Sequence, residues 1–332
     1  MIITRTPFRM SFLGGGTDLP QFFNEYGGAV ISTTFDKYCY VIVRHLPPFH
    51  DYQSELVYSK IERVHQTEEI QHPAIREAMK MLDMHDLRLS YEGDLPARTG
   101  LGTSSSFAVG MLNAFYSLKG KFVDKHNLAT DAIHLERDLC QELGGWQDQI
   151  AAAYGNLNRI DFFDNQFTVT PIIIHPERKV RLNESLHLFY TGRCRLSSTI
   201  QQDSFSNLQT KQSILKQTLQ LVDEAQRILS DKHGDLDDFG RLLHEAWNLK
   251  KTLGDKITDG TIDAIYQEGL KAGAIGGKLL GAGGGGFLLF YCPPEKKESL
   301  RNALRDYLYI PFKFEEKGTT VIHYSPESYI AQ

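Results

Sequence analysis

The chain has 332 residues, 41% hydrophobic and 23% charged, which fits an ordinary globular protein long enough for two cored domains. Its net charge of −5 and isoelectric point near 6.2 argue against broad binding of nucleic acid or anionic membrane, so an anionic ligand would need a local basic pocket. Cys39, Cys140, Cys194 and Cys292 lie far apart, with no Cys-x-x-Cys pair. That pattern supports neither a zinc site nor a disulfide framework and favours a reducing compartment. The start, Met-Ile-Ile-Thr-Arg-Thr-Pro, lacks a signal-peptide apolar region, and no run of about 18 apolar residues occurs, so the expected location is cytoplasmic.

In chain order, residues 2–13 read as a strand entering the turn Gly14-Gly15-Gly16-Thr17-Asp18. Three successive glycines cost backbone entropy and suggest a close approach to something. A short helix over Leu19–Tyr26 follows. Ala29–Phe35 and Tyr38–Arg44 then alternate around Asp36-Lys37, which predicts a hairpin. Glu55–Ser59 reads as a further strand, Pro73–Met84 as a helix and Leu87–Tyr91 as a strand. Phe107–Leu118 reads as a helix, and Asp124–Leu143 as a second one, whose stripe is Leu128, Ala132, Leu135, Leu139 and Leu143. Glu136 sits beside that stripe, where a carboxylate is ordinarily a rim residue. Gly144–Gln149 interrupts the pattern and Ile150–Tyr154 resumes it. Asn158–Phe163 and Phe167–Ile174 form a second hairpin around Asp164-Asn165.

Composition shifts after Pro176. Leu186–Thr191 is strand-like, and amphipathic helices are expected at about 198–231, 236–253 and 259–272. Ala274–Leu280 and Phe287–Tyr291 are strands flanking Gly281–Gly286. Pro294–Leu308 is helical, and Phe312–Glu315 and Thr320–Tyr324 are closing strands. The expected fold is α+β in two domains, with the boundary near 176–186, divided as 1–180 and 181–332.

Pro96–Phe107, Pro-Ala-Arg-Thr-Gly-Leu-Gly-Thr-Ser-Ser-Ser-Phe, joins a strand to a helix. Gly100 and Gly102 permit close backbone approach, and the hydroxyls of Thr103, Ser104 and Ser105 precede the helix. The stretch either caps that helix or wraps an anion at its N-terminus. It is not a Walker A loop, because no Gly-Lys-Ser/Thr follows, and it is not a dinucleotide fingerprint, because Ser105 replaces the third glycine.

Three motifs in order resemble those of the GHMP kinases. Pro96-x-x-x-Gly100-Leu101-Gly102-Thr-Ser-Ser is similar to the family's phosphate loop. Arg9-x-x-x-x-Gly14-x-x-Thr17-Asp18 is similar to the N-terminal sugar motif of its galactokinase branch, and Lys278-Leu-Leu-Gly281-Ala-Gly283-Gly284-Gly to the third motif. Thr6–Asp18, Ser32–Cys39, Asp94–Arg98, Asp148–Ala153 and Ala274–Gly286 look like the sugar-1-kinase subgroup that contains heptose 7-phosphate kinases. The resemblance covers essentially the whole chain. It implies a ribosomal protein S5 domain 2-like first domain, a ferredoxin-like, helix-rich second domain, and phosphorylation of a sugar phosphate's anomeric hydroxyl.

The same resemblance implies that ATP is held by Pro96 and Gly100–Ser105, and that Mg2+ is ligated by Ser104 and Glu136. Asp148 would orient the acceptor hydroxyl and take its proton. Arg9 would steady the transferring phosphoryl group. Gly15, Gly16, Thr17, Asp18, Gly283 and Gly284 are candidates for the acceptor. Arg193, with Arg195 and Lys37, is a candidate for a second phosphate, although any one of them reads equally as a surface cation. Lys278 either meets phosphate or pairs with a helix carboxylate. Asp148 can also serve as a helix N-cap. Small molecules are the expected partners, with no nucleic acid and no membrane, and a homodimer is left open. Rival readings are a fucose-type or mevalonate-type kinase, a sugar-binding regulator and, remotely, a dinucleotide oxidoreductase.

Overall fold

The computed structural model describes residues 1–193 and 208–326. In chain order its elements are β1 (Ile2–Leu13), α1 (Pro20–Tyr26), β2 (Gly28–His45), β3 (Ser54–Val57), β4 (Ile61–Val64), α2 (Pro73–Met81), β5 (Leu87–Gly93), α3 (Thr103–Leu118) and α4 (Lys125–Ile133). Then come α5 (Gln147–Tyr154), β6 (Leu157–Phe163), β7 (Gln166–Pro171), α6 (Pro176–Ser185), β8 (Leu186–Tyr190), α7 (Leu208–Ser230), α8 (Asp237–Lys251) and α9 (Gly260–Lys271). The chain closes with β9 (Gly276–Leu279), β10 (Phe287–Tyr291), α10 (Lys297–Ala303), β11 (Leu308–Ile310), β12 (Phe314–Glu315) and β13 (Thr320–Tyr324).

The first sheet has nine strands and is built around β1 and β2, which pair antiparallel along nearly their whole length. The far edge of β2 is shared by β5, β6 and β12. The second sheet has the order β11-β8-β10-β9. The closing strands return to the first sheet, where β13 pairs with β1 and β12 with β2. Sheet membership therefore does not follow the order of the chain.

The hairpin expected around Asp36-Lys37 does not form. Both arms belong to β2, and Asp36 and Lys37 are extra residues between the Pro7–Tyr38 and Phe8–Phe35 pairs. β1 is long enough to pair with both halves, and Asp36 is tied instead to the backbone of Lys313. The helix expected over 124–143 also changes course. After α4 it widens into a π-helical turn, His134–Leu139, and ends there. Leu128, Ala132 and Leu135 are buried as the stripe requires, but Leu139 and Leu143 are exposed. α3 starts at Thr103 rather than Phe107, so Thr103, Ser104 and Ser105 are its first turn. α6, with Pro176 in its first turn, was not foreseen. Among the described residues no helix is long and apolar enough to cross a membrane, and Cys39, Cys140 and Cys292 are free thiols. Cys194 and the start of the helix expected from 198 lie outside the described residues.

Strand alternation sorts the core. Phe8, Met10 and Phe12 of β1 join Leu186 and Leu188 of β8, Phe239 and Leu243 of α8, and Phe287, Leu289 and Tyr291 of β10. This cluster fastens the first sheet to the second. On the other face of the first sheet, α2, α3, α4 and α5 cover Val41, Val43, Leu87 and Leu89. Burying one such aliphatic side chain is worth roughly 1.5–3 kcal/mol, so both faces of β1 and β2 are strongly held. A second tie is backbone on backbone. A Cβ on Gly281 would lie 2.2 Å from the Gly100 Cα, and one on Gly100 would lie 2.4 Å from the Leu280 carbonyl oxygen. Both glycines have positive φ, 82° and 72° for Gly100 and Gly281. Gly281→Ala should therefore cost more than about 1 kcal/mol, read as a lower urea midpoint at constant slope, and an unchanged midpoint would show that this seam is not tight.

Candidate active site

Because Phe8 and Met10 face the inter-sheet core, Arg9 between them points to the opposite face, toward α3 and α5. There its Nε and Nη2 donate to Asp148 Oδ1 and Oδ2, at 2.7 and 2.6 Å. Its Nη1 donates to the Gly100 carbonyl at 2.6 Å, and its backbone N–H donates to the Leu101 carbonyl at 3.1 Å. The side chains of Arg9 and Asp148 are 5% and 23% exposed, so this two-pronged pair is largely shielded from water. One arginine thus joins β1, α5 and the phosphate-loop candidate. Asp148 is not the N-cap of α5 but lies in its first turn, after Trp146.

Gly102, at φ 70°, is the N-cap of α3, with no side-chain cap and no acidic residue in the first turn. The first turn of this 16-residue helix thus carries no carboxylate of its own, and its positive end is available to an anion. Pro96 accepts a hydrogen bond from the Thr99 hydroxyl, Leu101 is fully buried, and Thr103 and Ser105 are buried while Ser104 is exposed. Glu136, expected at a rim, is 1% exposed. Helix spacing gives the physical reason: Glu136 follows the buried Ala129, Ala132 and Ile133 by seven, four and three residues and so shares their inward face, while the π-helical turn ends the helix with Leu139 exposed. Ser104 Oγ donates to Glu136 Oε1 at 2.9 Å, and Ser105 Oγ donates to Oε2 at 2.6 Å; Gln149 Nε2 also donates to Oε2. Oε2 is tied inward, whereas Oε1 sits beside the exposed Ser104 hydroxyl. One carboxylate oxygen and one hydroxyl are hard donors of the kind magnesium takes, with waters and phosphate oxygens filling its other positions. No group of three or more His, Cys, Asp and Glu among the described residues could hold a metal without such help.

In the first glycine loop, Thr17 is fully buried. Its hydroxyl donates to the Gly14 and Ala29 carbonyls and accepts from the Ala29 N–H, so it locks the turn. Asp18 accepts from the Gly16 N–H at 2.9 Å and from the Gln147 N–H at 3.2 Å, and so caps α5 from a distance. Gly145 leaves room for this carboxylate, since a Cβ there would lie 1.9 Å from Asp18 Oδ2. Burial, and secondarily the Asp148 carboxylate, pushes the Asp18 carboxyl up from its ordinary value, while the two N–H bonds pull it back. Beside Gly15 stand Ser11 and Gln147, whose Oγ and Oε1 are buried with no partner among the described residues.

The third glycine loop packs on the second. A Cβ on Gly286 would lie 2.2 Å from the Thr99 carbonyl oxygen. Gly283 and Gly284 lie against Ile257, and the Gly284 N–H donates to its carbonyl. The Arg193 guanidinium is bound to Asp259 and Thr261 at the start of α9, and its carbonyl accepts from the Gly286 N–H. Lys37 turns back on Asp36. Arg195 lies outside the described residues. Among the described residues Lys278 pairs with no helix carboxylate; it donates to the Phe12 carbonyl at 2.7 Å.

The structure thus brings Arg9, Asp148, Gly100, Ser104, Ser105, Glu136 and Asp18 into one linked arrangement, with Gly281 and Gly286 packed against the Thr99–Gly100 backbone. Sequence reasoning missed Gln149, Gln147, Ser11 and Gly145. Their signal is faint, because what marks them is their position in space: Gln149 meets Glu136, the Gln147 N–H and Gly145 meet Asp18, and Ser11 and Gln147 stand beside Gly15. The arrangement offers a helix N-terminus for an anion, a hydroxyl–carboxylate pair for a cation, and a carboxylate held in fixed orientation by arginine.

Residues 68–156 match the model of the GHMP kinases N-terminal domain, and residues 221–310 match that of the GHMP kinases C-terminal domain. Together they span more than half of the 332 residues, and the chain belongs to the GHMP kinases, enzymes of phosphoryl transfer. Over 317 residues it is 27% identical to the D-glycero-alpha-D-manno-heptose 7-phosphate kinase of Campylobacter jejuni subsp. jejuni serotype O:2, covering 92% of this chain and 93% of that one. It is 26% identical to the L-fucokinase/L-fucose-1-P guanylyltransferase of Bacteroides fragilis, over 86% of this chain and 34% of the relative. The crystal structure of a D-glycero-D-manno-heptose 1-phosphate kinase from Bacteriodes thetaiotaomicron shares the fold, with a TM-score of 0.79, 23% identity and coverage of 97% and 99%.

Glu136→Gln presents an amide N–H to one of its three donors. It should cost roughly 1–3 kcal/mol, seen as a lower denaturant midpoint, and a wild-type midpoint would show that the cluster does not depend on the charge.

Proposed function

We propose that the protein is a sugar kinase that transfers the γ-phosphoryl group of ATP to the anomeric hydroxyl of D-glycero-D-manno-heptose 7-phosphate. The product is the 1,7-bisphosphate, in the formation of a nucleotide-activated heptose. The observation that carries the reading is the Arg9–Asp148 fork, set between the open N-terminus of α3 and the Asp18 loop. The nearly full-length similarity to a heptose 7-phosphate kinase supports the choice of acceptor. We also propose that the chain divides near residue 180. The first part would carry the phosphate loop, and the second would contribute the third glycine loop.

In this reading the triphosphate lies on the backbone N–H groups of Gly102–Ser105. Mg2+ held at Ser104 Oγ and Glu136 Oε1 would neutralise charge on the phosphates. Asp148 accepts the acceptor's hydroxyl proton with a lone pair that Arg9 leaves free, and Arg9 fixes the carboxylate while facing the transferring oxygens. Asp18, the Gly15–Gly16 backbone, Gly283 and Gly284 border the acceptor, and Arg193 stands at that border through its backbone. A fucose-type kinase is the second reading, favoured by the similarity to the fucokinase relative.

Asp148→Asn should keep ATP binding and lower kcat by about 10²–10⁴, measured by a coupled ADP assay; near-wild-type turnover would remove the base assignment. Ser104→Ala combined with Glu136→Gln should raise the magnesium concentration needed for half-maximal rate, and an unchanged requirement would count against the metal site. A screen with magnesium-ATP over heptose 7-phosphate, fucose, galactose, mannose and mevalonate decides the acceptor. Preference for an unphosphorylated sugar would overturn the heptose 7-phosphate reading.

A further inference from the structure

The three glycines of the first loop stand under different constraints. Gly14 and Gly16 have φ of 86° and 97°, which glycine adopts without strain. A Cβ on Gly14 would also lie 1.9 Å from the Ala29 carbonyl oxygen. Gly15 is bound by neither condition. Its φ is not positive, and apart from its chain neighbours a Cβ there would meet only Gln147 Nε2 at 3.8 Å and Ser11 Oγ at 3.9 Å, which are ordinary contacts. Backbone and packing would therefore admit a side chain at residue 15.

The two side chains beside that position are polar and have unused bonding capacity. Ser11 is 6% exposed and lies on the same face of β1 as Arg9, two residues earlier; its Oγ is buried with no partner among the described residues. Gln147 immediately precedes Asp148 in α5. Its backbone N–H is bound to Asp18, but its Oε1 is likewise buried without a partner among the described residues. Asp18 Oδ1 and Oδ2 accept from the Gly16 and Gln147 N–H groups, so one carboxylate holds the turn at Gly15 against the start of α5. Gly15, Gln147 and Asp148 are each partly exposed, so this polar corner is reachable from outside, next to the Arg9–Asp148 fork.

A buried hydroxyl or amide oxygen without a partner costs free energy. A hydroxyl and an amide both hydrogen-bond without carrying charge, which suits a neutral hydroxyl of a ligand. They suit a phosphate poorly, and Arg9, the cation two residues before Ser11, is already engaged by Asp148 and the Gly100 carbonyl. The bland account is that Ser11 and Gln147 are surplus polar groups at a turn. It does not explain why both flank the one glycine of the loop that neither φ nor packing demands. We propose that Ser11 Oγ and the Gln147 side-chain amide hydrogen-bond a hydroxyl of the sugar other than the one phosphorylated, in space that Gly15 keeps open. The inference deepens the sugar-kinase reading and rests on it. The two side chains select the sugar and take no part in proton transfer.

The test uses the sugar of the magnesium-ATP panel that the wild-type protein phosphorylates best, followed by the coupled ADP assay. Ser11→Ala, Gln147→Met and Gly15→Ala should each raise KM for that sugar at least about fivefold and leave KM for magnesium-ATP within about twofold. Gln147→Met keeps the backbone N–H that Asp18 accepts. Ser11→Ala removes a hydroxyl that has no partner, and Gly15→Ala fits with ordinary contacts, so in both the urea midpoint should stay at or above the wild-type value. Among monodeoxy analogues of the sugar, at least one should show a raised KM with wild type and no further rise with Ser11→Ala, because the two changes remove the same contact.

An unchanged sugar KM in Ser11→Ala and Gly15→Ala overturns the inference. So does a lowered midpoint with KM raised alike for sugar and magnesium-ATP, which marks a structural role. Preference for another sugar of the panel, with the KM split intact, counts against heptose 7-phosphate and leaves the Ser11–Gln147 contact standing. Phosphorylation of no sugar in the panel counts against both.

Discussion

The site depends above all on the fork between Arg9 and Asp148. Its distances of 2.7 and 2.6 Å belong to a strong charge-assisted pair, and shielding from water keeps it so. The same guanidinium holds the Gly100 carbonyl, so β1, the helix carrying the carboxylate and the loop at α3 are set relative to one another by a single planar group. A lysine could not do this. Its ammonium has no fixed plane and cannot meet two carboxylate oxygens and a carbonyl in three preset directions.

Around that fork each glycine loop has a separate physical task. The first is closed by the Thr17 hydroxyl and lets Asp18 cap α5, which carries Asp148. The second presents the α3 N-terminus. The third presses on the second without side chains between them, so the two sheets meet at the site as well as through the apolar cluster. Glu136 completes the arrangement from the buried face of the helix, where its one carboxylate meets two serines. The fold thus brings a helix N-terminus, a hydroxyl–carboxylate pair and an arginine-held carboxylate into one place.

Much of this was legible in the residues. The motifs carrying Arg9, Gly100–Ser105, Asp148 and Gly281–Gly284 stand in order along the chain, and most strands and helices follow from alternation and apolar spacing. Local pattern failed where a distant partner decided the outcome. Asp36-Lys37 looks like a turn, yet β1 pairs with both of its flanks and leaves it a bulge. Leu139 and Leu143 continue a helical stripe on paper, but the π turn ends the helix and exposes them. Lys278 was read as a partner for phosphate or a carboxylate, and its nearest acceptor proved to be a backbone carbonyl 266 residues away.

The division between sequence and structure has a physical cause. The sequence alone determined the family, the order of the three glycine loops and the chemical types of the candidate site residues, because these depend on residue identity and short spacing. Tertiary structure decided which groups touch: Arg9 with Asp148, Glu136 with Ser104 and Ser105, and Asp18 with α5. Those contacts join residues up to 139 positions apart. They arise from strand register, helix phase and the close approach of bare backbone, none of which is written in any one segment of the chain.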